Sequence, residues 1–315
     1  MKAAVLAAGE GKRMSPLTDT RPKVMLPVAN KPILEHLVIE MREAGVDEFL
    51  FVVGYHGETI REYFRDGSKW NVSVQYVTQK RQLGTADAVR QVSWWAGERF
   101  VLANGDVVVG RDDVRTLMLS PIPAMGVSRQ EDVSGLGVVE LHESRIVRIH
   151  EKVRNPPGNL VNTGLYVMTR EIFAAINDTR PSSRGEYELT DSLQLLIDRG
   201  TGLGGYAVGR WLNFTYPWDL LAANELLLRD LAPDIQGEVE PGASIRQPLA
   251  LGKGSVVRAG SYIIGPAIIG EGCEIGPNCY IRPSTAIADG CHVGASVEIK
   301  NSIMMAGARA PHHNY

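Results

Sequence analysis

The chain has 315 residues, enough for two domains and a sizeable core. A formal charge of −3 with 22% charged residues gives no basic excess that would call for nucleic acid, and no run approaches the roughly 18 apolar residues of a membrane span. The apolar start, MKAAVLAA, is too short for a secretory signal, so the expected location is cytoplasmic, with neither nucleic acid nor membrane as partner.

Lys2–Ala8 reads as a buried first strand, and it opens into LAAGEGKRMSPLTDTRPKVMLP, Leu6 to Pro27. A Gly-rich, cation-rich loop after a strand offers backbone N–H groups and positive side chains to an anion, most simply a phosphate. The Walker A pattern does not fit, because Gly11-Lys12 is followed by Arg13 and Leu6 stands where the first glycine belongs. The dinucleotide fingerprint fails too, with Met14 at its third glycine. What remains is Gly9, Gly11, Arg13, Pro16, Pro22-Lys23 and Leu26-Pro27, with two cations ten residues apart. This set resembles the signature of the sugar-1-phosphate nucleotidylyltransferases. The resemblance implies that Leu6, Ala8, Gly9, Gly11 and Lys12 line the nucleotide and that Arg13 grips the leaving phosphates. It also implies that Lys23 bridges the α-phosphate and the sugar phosphate. Lys12 stands where many relatives carry Thr or Ser, and its charge suits a triphosphate.

Ile33, Leu34, Leu37, Val38 and Met41 recur at helical spacing after Pro32, and Gly45 closes that helix. Phe49–Val53 reads as a strand, Glu58–Phe64 as a helix and Val72–Val77 as another strand. Such alternation predicts a doubly wound, Rossmann-like α/β domain with a largely parallel sheet and ligands at the strands' carboxyl ends. The next such loop, QKRQLGT from Gln79 to Thr85, precedes a helix expected over Ala86–Trp95. Its residues alone leave a polar turn with a Thr N-cap and a binding loop equally open. Similarity to the N-acetylglucosamine-1-phosphate uridylyltransferases implies that Gln79, Gln82, Gly84 and Thr85 read the uracil edge and back the ribose.

Strand Phe100–Ala103 runs into Asn104-Gly105-Asp106. That tripeptide is a common turn signal, and its carboxylate is also placed to hold Mg²⁺, which prefers one or two carboxylates plus phosphate oxygens. The resemblance implies the metal role for Asp106, partnered by Asn213 of Trp211-Leu212-Asn213. It further implies a sugar-phosphate pocket formed by Gly137, Glu151, Lys152, Asn162 and Thr190. From the residues alone, Glu151-Lys152 also reads as a solvated charge pair, and Thr190 and Asp191 as N-caps of a helix through Ile197. Pro217–Leu228 reads as an amphipathic helix closing the domain.

Past residue 232 helical spacing gives way to an aliphatic residue every six, from Ile245 through Leu251, Val257, Ile263, Ile269, Ile275, Ile281, Ile287 and Val293 to Ile299. A fixed period of this kind predicts a hexapeptide β-helix. Cys273, Cys279 and Cys291 fall two places before members of the row, the register of small corner residues. The segment resembles the left-handed parallel β-helix of the bifunctional uridylyltransferase/acetyltransferases. Two domains are therefore expected, 1–232 and 233–315. By that resemblance Arg282, Lys300, His312 and Tyr315 stand at the places of an acetyl-transfer site. Relatives continue through further coils, so the β-helix is expected to be incomplete at its C-terminus and the acetyltransferase inactive, with acetyl-CoA a cofactor only of a complete domain. The expected activity joins a sugar 1-phosphate, of N-acetylglucosamine or glucose, to UTP or dTTP with Mg²⁺, in a homo-oligomer, trimeric or larger. A non-catalytic regulatory or scaffold subunit of the same fold is the alternative; such subunits lose the cations or the aspartate retained here.

Overall fold

A computed structural model describes residues 1–314, so Tyr315 lies outside the described residues. Packing groups the chain into two compact units. The first is Met1–Leu26 with Ile33–Asn213, and the second is Pro27–Pro32 with everything from Phe214 onward. The composition change at residue 232 follows the onset of the six-residue period, whereas packing assigns the preceding helix, Asp219–Leu228, to the second unit.

Among the described residues of the first unit, nine strands form one sheet. From edge to edge they run Ser73–Thr78, Glu48–Val53, Lys2–Ala7, Arg99–Asn104, Leu160–Thr169, Ala124–Arg129, Gly204–Ala207, Arg145–Glu151 and Gly137–His142. The first four are parallel, with Leu6 opposite both Val52 and Asn104. Ala3, Ala4 and Val5 are fully buried, as expected of a central strand covered on both faces. Leu160–Thr169 then enters antiparallel between Arg99–Asn104 and Ala124–Arg129, so the sheet is mixed beyond its parallel half. Helices Ile33–Glu43 and Gly57–Phe64 follow the expected pattern. The helix expected over Ala86–Trp95 is regular only over Thr85–Arg90 and continues as turns, with Val92 N–H bonding to Val89 O and Trp95 N–H to Val92 O.

The second unit stacks short strands into three parallel sheets, consistent with a left-handed β-helix. Register advances by eighteen residues per coil through the centre, as in Tyr262 opposite Tyr280 and Tyr280 opposite Glu298. It advances by seventeen in the last coil, where His292 faces Arg309. Every member of the aliphatic row from Leu251 to Ile299 is buried, and Ile245, in the first coils, is partly so. Each fully buried side chain of this size contributes about 1.5–3 kcal/mol, so the row supplies the domain's core. Cys273, Cys279 and Cys291 are unpaired and buried within it, and burial pushes all three thiols up in pKa, which keeps them unreactive.

Candidate active site

The loop after the first strand turns at Gly11, whose φ of 69° is left-handed. A Cβ there would sit 2.8 Å from the Cβ of Lys23, so only glycine lets the two ends of the loop meet. Single 3₁₀ turns, Lys12–Met14 and Lys23–Met25, carry the two cationic segments. The Thr18 hydroxyl donates to Gly11 O at 3.2 Å and ties the crossing. Because the first strand is parallel to Arg99–Asn104, Asp106 emerges beside this loop, and Gly105 N–H donates to Leu6 O at 2.8 Å.

These placements bring Lys23 Nζ within 2.5 Å of Asp106 Oδ2, with the lysine side chain only 12% exposed. Strand Trp211–Asn213 pairs antiparallel with Val107–Val109 and sets Asn213 opposite Val107, one residue from Asp106. No group of three His, Cys, Asp or Glu side chains gathers into a metal cluster among the described residues. One carboxylate with a neighbouring amide is nevertheless a donor set that fits Mg²⁺ arriving with phosphate oxygens of its own.

One cavity is lined by Arg13, Thr85, Gly137, Glu151, Lys152, Asn162, Thr190 and Asn213, joining eight residues scattered through the sequence. Glu151 stands opposite Gly137 across paired strands, and a Cβ on Gly137 would meet Glu151 Oε2 at 2.9 Å. Asn162 Nδ2 donates to the Tyr166 hydroxyl at 2.7 Å, and its Oδ1 accepts Gly164 N–H at 2.9 Å. Thr190 is 7% exposed, and its hydroxyl, which lines the cavity wall, has no hydrogen-bond partner. Thr190 and Asp191 sit inside the first turn of helix Leu189–Asp198, whose N-cap is Glu188, so neither caps it. Arg184 pairs with Glu188 at 2.5 Å and lies 3.7 Å from Glu151. Burial, then the charges of Glu188 and Glu151, hold the Asp191 carboxyl above the usual aspartate range. Arg184 and Glu188 are not singled out by the sequence, although Glu188 lies within the run Gly185–Asp191 that ends in Thr190-Asp191 and Arg184 immediately precedes it.

A second cavity is lined by Glu10, Gly54, Tyr55, Thr78, Gln79, Lys80 and Gln82. Gln82 Nε2 donates to Ala8 O at 2.8 Å, which fastens this loop to the end of the first strand. Gln79, 6% exposed, donates to Asp87 Oδ2 at 2.9 Å and Gly84 O at 3.2 Å, so its amide protons brace the loop. Gly84 has φ 114°, and a Cβ there would collide with the Tyr187 carbonyl. The Thr85 hydroxyl accepts Leu189 N–H at 2.9 Å, joining the loop to the cavity wall rather than capping its own helix. Lys12 points outward, 85% exposed, and its ion pair with Glu10 at 2.9 Å raises its pKa.

In the second unit Arg282 pairs with Glu298 at 2.9 Å. His312 Nδ1 accepts Ala295 N–H at 2.7 Å. Lys300 is exposed. No helix among the described residues is long and apolar enough to cross a membrane.

Two family models match: nucleotidyl transferase over residues 2–228 and bacterial transferase hexapeptide (six repeats) over 266–301. The chain is 37% identical over 261 residues to the bifunctional protein GlmU of Methanococcus maripaludis, covering 82% of this chain and 62% of that protein. It therefore spans less than two thirds of that relative. It is also 37% identical over 265 residues to the glucose-1-phosphate thymidylyltransferase of Streptomyces antibioticus, covering 82% of this chain and 74% of that one. The solved structure of a UDP-glucose pyrophosphorylase complexed with UDP-glucose shares the fold at TM-score 0.66 and 24% identity, covering 73% of this chain and 99% of its own.

Proposed function

The chain belongs to the nucleotidyl transferase family, and from that premise we propose that it joins a sugar 1-phosphate to a nucleoside triphosphate, releasing pyrophosphate. The observation that carries the reading is the contact of Lys23 with Asp106 beside a cavity whose wall gathers Arg13, Glu151, Asn162 and the partnerless Thr190. An oxygen of the sugar phosphate attacks the α-phosphorus in line; that P–O bond forms as the bond to the β-phosphate's bridging oxygen breaks. The nucleophile is already an anion, so no general base is needed and catalysis reduces to alignment and charge neutralisation. Lys23 bridges the two reacting phosphates, and Arg13 holds the leaving pair. Asp106 and Asn213 would hold Mg²⁺, which supplies positive charge to the triphosphate when bound.

Gly137, Glu151, Lys152, Asn162 and Thr190 receive the sugar phosphate in this reading, and Gln79, Gln82, Gly84 and Thr85 bound the nucleoside. The nucleotide is UTP or dTTP, and the sugar is glucose or N-acetylglucosamine. The relative named glucose-1-phosphate thymidylyltransferase supports glucose and dTTP, and the resemblance of the QKRQLGT run supports N-acetylglucosamine and UTP. Arg282, Lys300, His312 and Tyr315 take no part in this nucleotidyl transfer. A homo-oligomer in the cytoplasm completes the proposal.

The test is pyrophosphate release with Mg²⁺, crossing UTP and dTTP with glucose 1-phosphate, N-acetylglucosamine 1-phosphate and glucosamine 1-phosphate. Turnover with one preferred pair is the expected result. Silence from folded protein that still binds nucleotide would overturn the catalytic reading in favour of a scaffold subunit.

A further inference from the structure

The turn that carries Lys23 runs directly into a hairpin that belongs to the second unit. Met25 N–H donates to Pro22 O at 2.9 Å and Leu26 N–H to Lys23 O at 3.0 Å, and Ile33 N–H then closes on Leu26 O at 3.1 Å. Between them Pro27 pairs with Pro32 and Val28 with Lys31. At the tip Ala29 and Asn30 hold φ of 46° and 60°, a left-handed backbone uncommon for residues with a side chain. Such a tip persists only where its surroundings determine it.

Asn224 supplies that determination. It stands on helix Asp219–Leu228 and is fully buried. Its Oδ1 accepts Ala29 N–H at 2.9 Å, and its Nδ2 donates to Ser284 O, on a β-helix coil, at 2.7 Å. Asn30 Nδ2 adds a second bond to the same coil, donating to Ile287 O at 2.7 Å. A carboxamide is the short side chain that both accepts and donates at one buried point. An aspartate there would turn an acceptor toward the Ser284 carbonyl, and an apolar residue would strand two buried polar groups.

We propose that Asn224 is a positioning residue for Lys23. By clamping the hairpin tip to the coil at Ser284, it fixes the far end of the turn from which Lys23 reaches Asp106. Only Val24, Met25 and Leu26 separate Lys23 from the hairpin, so a shift at the tip passes along the chain to the ammonium group. The inference rests on the proposed role of Lys23, and it gives the β-helix a part in nucleotidyl transfer without any chemistry of its own.

The experiment combines hydrogen exchange with kinetics on full-length Asn224→Ala and Asn224→Asp. In both variants the amides of Met25 and Leu26 are expected to exchange at least about tenfold faster than in wild type, while those of Lys2–Ala7 are unchanged. The kcat for pyrophosphate release is expected to fall on the order of 10- to 100-fold, with KM for the nucleotide within about threefold. On a Lys23→Ala background Asn224→Ala is expected to add no further loss, because its effect passes through the missing amine. Unchanged exchange at Met25 and Leu26, or losses that multiply in the double variant, would overturn the proposal. Should either variant fail to fold, Asn30→Ala loosens the same tip through the Ile287 bond and is read the same way. A wild-type protein with no turnover would sink the proposed function, and the exchange measurement would still decide this inference.

Discussion

Lys23 and Asp106 neutralise each other at 2.5 Å, and the proposed mechanism asks each of them to face a different partner. Lys23→Ala is expected to lower turnover by about 10²- to 10³-fold with the fold intact, measured as pyrophosphate release beside a circular dichroism spectrum. The same pairing predicts that the divalent cation without nucleotide binds weakly, since an ammonium already covers the carboxylate. Lys23→Met should therefore tighten the binding of Mn²⁺ alone, measured by calorimetry; equal affinity in the two proteins would show that the ion pair does not guard the site. The spaced set from Gly9 to Pro27 was legible in the sequence because it is local, and its geometry follows from turns closed within it. Gln79 illustrates what was not legible. Its Nε2 donates to Gly84 O and Asp87 Oδ2, and no spacing rule reveals that the amide protons of a conspicuous polar side chain brace its own loop.

The β-helix was the most legible element, since a period of six makes every coil repeat the same demand for an inward aliphatic side chain. The direction of Leu160–Thr169 was not legible, because an apolar strand reads alike whichever way its neighbours run. Outside the aliphatic row, Arg258 bridges Glu240 at 2.7 Å and Glu274 at 2.8 Å across successive coils. Its hydrogen bonds hold both carboxyls below their usual range. A depressed carboxyl pKa contributes stability above the unfolded value, about 4.3 for Glu, that is lost as pH falls through the folded value. Arg258→Met is accordingly expected to lower the melting temperature modestly at pH 7 and by less at an acid pH, once the two carboxyls take up protons. Thermal denaturation at the two pH values checks this; an equal deficit at both would point to lost packing of the arginine stem instead.

At the scale of the whole molecule, the chain passes from one unit to the other at Leu26–Pro27, Pro32–Ile33 and Asn213–Phe214. The sequence suggests one boundary at residue 232 because composition changes there, and composition says nothing of a six-residue hairpin that bonds to Asn224 and Ile287, far later in the chain. A chain ended at residue 232 keeps Asn224 but loses Ser284 O and Ile287 O, the acceptors that hold the hairpin. Its soluble fraction is expected to release pyrophosphate at least about tenfold more slowly per molecule than the 315-residue chain. The coil register has a consequence of another kind. Because an advance of eighteen residues returns each side chain to the same wall, whole coils can be added or removed without turning any residue inside out. Each coil lengthens the stack by about 4.8 Å. The β-helix is in this sense a ruler, and Tyr262, Tyr280 and Glu298 are successive marks on one of its edges.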